Sequence, residues 1–451
     1  MKRPLKHSPT PLEAWQAHLL CPALIFELAH ETSFVQRLRK LDPVYLIYVL
    51  IFGNSSHKRP TFEEIHRRYL DFDDNLTFLN GITIQSFKKR FNQNMVDFLA
   101  SLLDYYINQM ISDCPARLKG HAELFKDILI QDSSIIRISK KLAGKFPAAR
   151  SRDNAAGLKI HAVYSACAHS IKSIRITGER THDSQMIQIG TDINNVLFIN
   201  DLGYYSVPIF TWIKNHGGFF VSRLKTNVTP HVISVVAGQV SKTMNQSIFD
   251  SKGPCIADFL KQAPKEGIYD LECSFEVTKE KKRSNIPAVV ELFRVVCFWN
   301  EQTARWHTYV TNLPVEQFAP EDIYQLYKYR WIIELLFKEL KGDYDLGELL
   351  LGNPSLAYIH IYSMLIRMII SRNLYAWILS TVEPDKQEQY GPLLWSKVFA
   401  EKCHEFLSIL HQHWFGEEDV RERWMKLEES LRHLAKSRHN NPRLSQKYTT
   451  F

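Results

Sequence analysis

Two aspartates of this 451-residue chain occupy positions at which carboxylates could bind metal ions and cleave a phosphodiester. Asp132 follows the apolar residues 128–130, and Asp201 follows the apolar residues 196–199. Each is expected where a buried strand reaches the surface, the edge at which open sheets bind ligands. A single Asp after a strand is more often a turn or capping residue, so the pair needs a third partner.

The third candidate is Glu334, in the segment EDIYQLYKYRWIIELLFKELKG, whose apolar residues recur with helical spacing. On one continuous helix, four polar residues of this segment share an arc of roughly 60°: Tyr327, Arg330, Glu334 and Lys341. The apolar residues on the other side would pack the helix against a sheet and fix the direction of the polar row. The alternative is an amphipathic helix whose charges are simply solvated.

Three carboxylates flanked by cations suit metal-dependent cleavage of nucleic acid. In-line attack on a phosphodiester is served by two Mg²⁺ ions about 4 Å apart, one activating the nucleophile and the other stabilising the leaving oxygen. Mg²⁺ takes oxygen ligands and is held by a few carboxylates, with waters and substrate phosphates completing the shell. Arg330 and Lys341 would then hold backbone phosphates beside the metals.

The spacing Tyr327-x2-Arg330-x3-Glu334-x6-Lys341 resembles, at every position, the Tyr-Arg-Glu-Lys signature of the insertion-sequence-four family of bacterial DDE transposases. The contexts DSS, starting at Asp132, and DLGYY, starting at residue 201, are also similar to that family. Four such residues at these spacings arise by chance in a chain of this length only about a few times per thousand. The resemblance covers roughly residues 120–380.

The resemblance implies an α/β fold with a ribonuclease-H-like catalytic core, a mixed sheet with flanking helices, interrupted by a β-rich insertion before the Glu-bearing helix. It also implies two Mg²⁺ ions, with Mn²⁺ able to substitute, of which Asp132 bridges both while Asp201 and Glu334 each complete one. By the same resemblance, three residues bind the phosphates of the transposon end: Tyr327, Arg330 and Lys341. The partners implied are double-stranded DNA, as terminal inverted repeats and target DNA, and a second copy in a synaptic homodimer.

The texture of the sequence predicts five regions. Residues 1–118 read as a helical N-terminal DNA-binding region, and 119–228 as the first part of the core, with short apolar runs typical of strands and a crossover helix at VPIFTWIKNHG. Residues 229–315 read as a β-rich insertion without a clear helix, 316–380 as the second part of the core, and 381–451 as a helical C-terminal region with a loose tail.

Within the N-terminal region, Thr61 followed by Glu64 predicts a capping box that opens a helix. A second helix is predicted after Gly81, with one apolar stripe at helical spacing and with Lys88, Lys89 and Arg90 beside it. Such a basic helix could enter a DNA groove, although a bundle helix with a solvated basic side is the alternative.

Composition adds weaker constraints. Lys and Arg number 56 against 48 Asp and Glu, and this charge of +8 favours a polyanionic partner only mildly. The seven scattered cysteines fit a reducing cytoplasm, and no secretion signal is evident. Apolar residues 356–370 are interrupted by Arg367 and fall short of the roughly 18 that a membrane span needs. We therefore expect a bacterial cytoplasmic, nucleoid-associated protein with no membrane partner.

The leading hypothesis is an enzyme of cut-and-paste DNA transposition that performs cleavage and strand transfer. Two alternatives stay open from sequence alone: a ribonuclease-H-like nuclease without strand transfer, and a catalytically inactive DNA-binding regulator derived from a transposase. Six nearby residues were assigned structural or solvated roles, the acids as solvated or capping groups and the tryptophans as more often buried than base-stacking: Asp127, Asp183, Asp192, Glu339, Trp299 and Trp306.

Overall fold

A computed structural model describes residues 20–37, 41–53, 61–73, 81–113, 120–149, 155–190, 192–238, 253–277, 289–349, 351–383, 386–416 and 419–436. The predicted loose tail, residues 437–451, and Cys114 lie outside these ranges.

Five helices of the described residues precede the sheet: α1 (Pro22–Glu31), α2 (Pro43–Phe52), α3 (Phe62–Asp73), α4 (Ile84–Lys88) and α5 (Gln93–Asp113). The predicted capping box of α3 is confirmed, since the amide of Glu64 donates to Thr61 Oγ1 at 3.2 Å and the amide of Thr61 donates to the Glu64 carboxylate at 2.6 Å. The apolar face of α2 is almost entirely buried, which makes it the centre of this helical layer.

The prediction of a single helix after Gly81 is wrong, because this segment forms two separate helices. Helix α4 ends at Lys88, and α5 starts at Gln93 after Asn92, whose side chain accepts a hydrogen bond from the amide of Met95 at 3.3 Å. The apolar stripe is nevertheless buried along its whole length. Helix α4 has only five residues, and Lys88 forms a salt bridge with Glu63, so its basic side is partly occupied within the chain.

The described strands, numbered β1 to β10 in chain order, form one mixed ten-stranded sheet. Nine of them follow the order β3-β2-β1-β4-β5-β9-β8-β7-β6, and the tenth, β10, pairs with β1 beside this path. The first five strands are β1 (Asp127–Ile138), β2 (Ala156–Ser165), β3 (Ser170–Gly178), β4 (Val196–Asn200) and β5 (Phe219–Arg223). Strands β1, β4 and β5 are parallel to one another, while β2 and β3 are antiparallel to their neighbours. The predicted crossover helix is confirmed as α6 (Val207–Asn215), between β4 and β5.

Strand alternation and register place Asp132 and Asp201 on one face of this sheet. Gln131 of β1 lies opposite Asn200 of β4 in the parallel ladder, so the two aspartates follow at adjacent positions. Side chains of successive strand residues point to opposite faces, and both aspartates share the parity of Ile130 and Ile199, which belong to the larger hydrophobic core. The helix that carries Glu334 packs on that same face.

The segment between β5 and the Glu334 helix contributes β6 (His231–Ala237), β7 (Ile268–Val277), β8 (Val289–Asn300) and β9 (Arg305–Thr311). These strands extend the same sheet, because β9 pairs with β5 at three register positions. Arg294 binds Asp270 through two hydrogen bonds of 2.9 and 2.7 Å, and both side chains are buried. The expectation that this segment lacks a helix is wrong, since α7 (Ile256–Gln262) lies within it.

The helix predicted to carry Tyr327 and Glu334 is also divided. Helix α8 (Pro320–Tyr327) ends before α9 (Arg330–Gly342), and the amides of Lys328 and Tyr329 bond to carbonyls three residues earlier. No Pro or Gly marks the break in the sequence, so the arc computed for one continuous helix does not apply to Tyr327. It still applies to the residues of α9.

The described chain closes with β10 (Glu348–Leu349), α10 (Pro354–Ser380), α11 (Pro392–Phe415) and α12 (Arg421–Leu434). Strand β10 pairs in parallel with the end of β1. Most of α10 is buried between α5, α9 and α11, which explains its apolar composition. Among the residues that the structure describes, no helix is long and apolar enough to cross a membrane.

Candidate active site

Asp132 and Asp201 lie side by side, Asp132 within β1 and Asp201 directly after the end of β4. The amide of Asp201 bonds to the carbonyl of Gln131 at 3.4 Å, which ties the turn after β4 to β1. The Asp132 carboxylate accepts a hydrogen bond from the amide of Ser133 at 2.7 Å. Asp201 occupies the capping position of the short helical turn Leu202–Tyr204, but its side chain makes no capping hydrogen bond, so the carboxylate is left for other partners.

The charges of Asp201 and Glu334 both act on Asp132, so the three predicted acids lie in one region of the molecule. The pKa of Asp132 is raised to about 7, mainly by burial and also by the charges of Asp201 and Glu334, against the lowering effect of the Ser133 amide and of the Arg330 charge. Like charges within a few ångströms disfavour ionisation of one another, whereas a bound cation reverses the effect. Asp201 and Glu334 are thus near enough for their charges to act on Asp132.

Glu334 projects from the first half of α9 and forms an ion pair with Arg330, one turn earlier. The exposed fraction is 34% for the Glu334 side chain and 16% for that of Arg330, so the pair is partly desolvated. An ion pair one helical turn apart is a local contact that any added cation or phosphate can compete with. The glutamate is thus near the aspartates while its charge is engaged by the neighbouring arginine.

Two polar atoms beside this ion pair are buried without a hydrogen-bond partner in the described part of the chain: the Tyr327 hydroxyl and Arg330 Nε. The guanidinium of Arg330 lies 5.7 Å from the centre of the Tyr327 ring. A buried donor with no partner costs roughly 1–3 kcal/mol, so such atoms mark positions that a ligand can satisfy. Both atoms belong to residues predicted to bind phosphate.

Lys341, the last residue of the signature, lies apart from the Arg330–Glu334 ion pair. It is seven residues beyond Glu334 on α9, about 10 Å further along the helix axis. The side chain is near Arg137 of β1, whose charge, together with burial, lowers the pKa of Lys341. A second basic position thus lies near the same helix, next to the end of β1.

The donor chemistry of the site fits a divalent cation, since the three converging side chains all offer carboxylate oxygens, the ligands that Mg²⁺ and Mn²⁺ prefer. Among the described residues, however, no group of three or more His, Cys, Asp or Glu side chains is already gathered closely enough to hold a metal. Glu334 is instead paired with Arg330.

Two acids that the sequence analysis assigned solvated or capping roles are neither. Glu339 is 1% exposed and forms an ion pair with Arg372 of α10 beneath α9. Asp183 accepts hydrogen bonds from Lys159 Nζ at 3.0 Å and from Ser133 Oγ at 3.2 Å. Both carry specific partners on distant segments, which a single-sequence pattern does not reveal. Asp192, by contrast, pairs with Lys126 at the surface, as expected of a solvated acid.

Sequence reasoning also missed Arg223, which ends β5 next to the strand that leads to Asp201. Its charge acts on the hydroxyls of Tyr309 and Tyr327, so the guanidinium lies near Tyr327 and the ion pair beside it. A basic residue directly after the apolar run FFVS, at the carboxyl end of a core strand, was a signal that could have found it. Trp306 is structural, since its indole N–H donates to the carbonyl of Leu260 at 3.2 Å.

The family described as Transposase DDE domain matches residues 123–368, more than half of the chain, and this segment contains all three converging acids. The chain belongs to the DDE transposase family. Membership implies that this transposase binds DNA and uses divalent metal ions for phosphodiester chemistry. The carboxylate oxygens of Asp132, Asp201 and Glu334 agree with such metal use.

Named relatives of the transposase include other insertion-sequence enzymes. The transposase for insertion sequence element IS231C of Bacillus thuringiensis subsp. berliner is 24% identical over 375 residues, covering 78% of this chain and 77% of the relative. The transposase for IS1151 of Clostridium perfringens is 20% identical over 412 residues, covering 83% and 85%. Among solved structures, the piggyBac transposase in its synaptic complex with hairpin DNA is similar, with a TM-score of 0.46 and 10% identity over 97% of this chain and 88% of that one.

Proposed function

We propose that this transposase performs cut-and-paste transposition of an insertion sequence, with Asp132, Asp201 and Glu334 as its catalytic metal ligands. The observation that supports the proposal is the register of β1 and β4, which places Asp201 beside Asp132, with Glu334 near enough for its charge to act on Asp132. Hydrolysis would consume one water at each cut and leave a 3′-hydroxyl and a 5′-phosphate. The 3′-hydroxyl would then attack target DNA, where one target phosphodiester breaks, releasing a target 3′-hydroxyl, for each new one formed.

The three acids have distinct proposed roles. By the family resemblance, Asp132 would contact both of two Mg²⁺ ions, while Asp201 and Glu334 would each contact one; Mn²⁺ would substitute. When bound, such ions supply a nucleophile at neutral pH and stabilise charge on the leaving oxygen. Glu334 must leave Arg330 to join this set, and a DNA phosphate that binds Arg330 is a suitable competitor.

We propose that Tyr327, Arg330 and Lys341 hold phosphates of the transposon end. The unpartnered Tyr327 hydroxyl and Arg330 Nε support the first two assignments, since both are donors buried beside the acids. Lys341 would bind a phosphate further along the strand, because it lies next to Arg137 at the other end of α9. The spacing of these cations suits a DNA strand that runs along the helix.

The organisation proposed for the chain follows the sequence boundaries. Residues 119–228 and 316–380 would form a ribonuclease-H-like core, with 229–315 as its β-rich insertion and 1–118 as an N-terminal DNA-binding region. Residues 381–451 would be a helical C-terminal region. Two copies would bring two element ends together in a synaptic complex in the bacterial cytoplasm.

The function is tested with DNA whose ends are the inverted repeats flanking the coding sequence. The full chain with Mg²⁺ should cut at the repeat boundaries and join the freed 3′ ends to a target plasmid, whereas chelation should abolish both steps. Sequencing of joined products measures the second step directly. Cleavage without any joined product would contradict transposition and favour a nuclease, and binding without cleavage would contradict catalysis.

Arg330→Ala should weaken binding of the element end and lower the slope of log K against log salt by about one, because one phosphate contact with its counterion release is lost. The measurement is a salt titration of binding to a labelled end. Arg421→Ala, which removes an exposed charge at the start of α12, is the matched control. An Arg330→Ala slope equal to that of the control would refute the phosphate contact.

A further inference from the structure

A polar cluster lies behind the acids, on the opposite face of the sheet. Ser133 alternates with Asp132 along β1, and it pairs in register with His161 of β2. Lys159 shares the face of His161, since the two are separated by one residue of the same strand. These side chains therefore lie directly beneath the strand segment that carries the first catalytic acid.

Asp183 joins this cluster from the short helical turn Asp183–Met186 after β3. Its carboxylate accepts hydrogen bonds from Lys159 Nζ at 3.0 Å and Ser133 Oγ at 3.2 Å, and it lies 3.7 Å from His161 Nδ1. Lys159 is only 11% exposed in its side chain and also donates to the carbonyl of Thr181 at 3.1 Å. The Asp183 charge is thus fixed by two elements and neutralised by a nearly buried ammonium.

The same carboxylate is packed against the turn that follows Asp201. A Cβ atom added to Gly203 would lie 2.6 Å from Asp183 Oδ2, so glycine is required for this close approach. The next residue, Tyr204, shares a hydrogen bond of 2.7 Å with His161 Nδ1, and His161 Nε2 is held by Thr177 at 3.0 Å. The turn after the second acid is therefore fastened to the same cluster as the strand after the first.

The segment around Asp183 is itself clamped to β1. Gln131, fully buried, donates through Nε2 to the carbonyl of Met186 at 2.7 Å and accepts at Oε1 from the amide of Gln188 at 3.3 Å. Residues on both sides of Asp132 thus bind this segment. These hydrogen bonds couple the position of Asp183 to that of β1.

We propose that Asp183 is a positioning residue that sets the separation of Asp132 and Asp201 for metal binding, by linking Ser133 to the turn at Gly203. The inference rests on the proposed function of the two acids as metal ligands. Ligand groups must be held within about 0.5 Å of the productive geometry, and outer partners that orient them commonly contribute 10- to 100-fold to metal affinity or activity.

The test compares Asp183→Asn with Asp192→Asn, which removes the same charge from an exposed acid paired with Lys126 at the surface. In the full chain bound to its element end, Asp183→Asn should weaken Mn²⁺ binding, measured by electron paramagnetic resonance, by 10- to 100-fold. The Mg²⁺ concentration for half-maximal cleavage should rise by a similar factor while the Kd for DNA stays the same. Asp192→Asn should match the wild type in every measurement.

Ser133→Ala serves as a second variant, since it deletes only the hydroxyl that contacts Asp183 and does not leave Lys159 unpaired. It should shift Mn²⁺ affinity in the same direction. Asp183→Glu, which keeps the charge, should also weaken Mn²⁺ binding, because the Asp183 carboxylate is already packed against Gly203 and a longer side chain would displace it. Unchanged Mn²⁺ affinity in folded Asp183→Asn or in Ser133→Ala overturns the inference. A wild-type chain that neither binds Mn²⁺ nor cuts DNA overturns the proposed function instead.

Discussion

Asp132→Asn should lower the rate of Mg²⁺-dependent cleavage by about a thousandfold or more while leaving binding of the element end intact. The reason is that Asp132 is the acid on which both other carboxylates act, and asparagine removes its charge with almost no change in shape. Loss of metal-borne stabilisation of several kcal/mol corresponds to this factor in rate. Single-turnover cleavage of a labelled end, alongside a gel-shift titration, measures the two properties separately.

The same substitution has an opposite expected effect on stability. Because the pKa of Asp132 is raised from 3.8 to about 7, the folded chain binds this proton more tightly, and stability declines as pH rises between those values. Asp132→Asn removes that decline, so in metal-free buffer at pH 8 its melting temperature should equal or exceed that of the wild type. Normal cleavage by Asp132→Asn, or a collapsed fold, would contradict the assignment.

Glu339→Gln should destabilise the fold by about 3–5 kcal/mol, the usual cost of leaving one charge of a buried pair unpaired. Glu339 and Arg372 are both almost fully buried where α9 meets α10, and burial raises the pKa of the glutamate against the influence of the arginine. The pair holds the underside of the helix whose other side presents Glu334. Chemical denaturation, followed by tryptophan fluorescence, gives the change in the free energy of unfolding.

Two companion variants separate this effect from general sensitivity to mutation. The double variant Glu339→Leu with Arg372→Met should be more stable than Glu339→Gln, because no buried charge remains unpaired. Glu422→Gln, at an exposed pair with Lys426, should leave the denaturation midpoint unchanged. If Glu339→Gln behaves like Glu422→Gln, the buried pair does not hold α9 in place.

Much of the site followed from local sequence because its determinants are local. The bounds of β1, the capping box at Thr61 and the crossover helix α6 depend on alternation, caps and short apolar runs, all of which are visible within about ten residues. The three acids were predicted from their spacing and from the apolar runs before the two aspartates. Asp201 does follow the end of β4, whereas Asp132 lies in the middle of β1, and the parallel register of the two strands places these residues side by side.

The remaining features depend on contacts between distant segments. Periodicity continued through Lys328 and through Asn92, yet the helices break at both places, and only Asn92 carried a capping signal. Asp183 and Glu339 looked like solvated acids because their partners, Lys159 and Arg372, lie 24 and 33 residues away. Pairing across such intervals leaves no trace in a single sequence.

Strand β9 pairs with β5, so the outer strands β6 to β9 and the acid-bearing strands β1 and β4 belong to one continuous hydrogen-bonded sheet. Thr311, at the end of β9, reinforces this junction, because its hydroxyl donates to the carbonyl of Phe220 in β5 at 2.6 Å. The outer strands therefore cannot rotate relative to the strand that leads to Asp201 without breaking these hydrogen bonds.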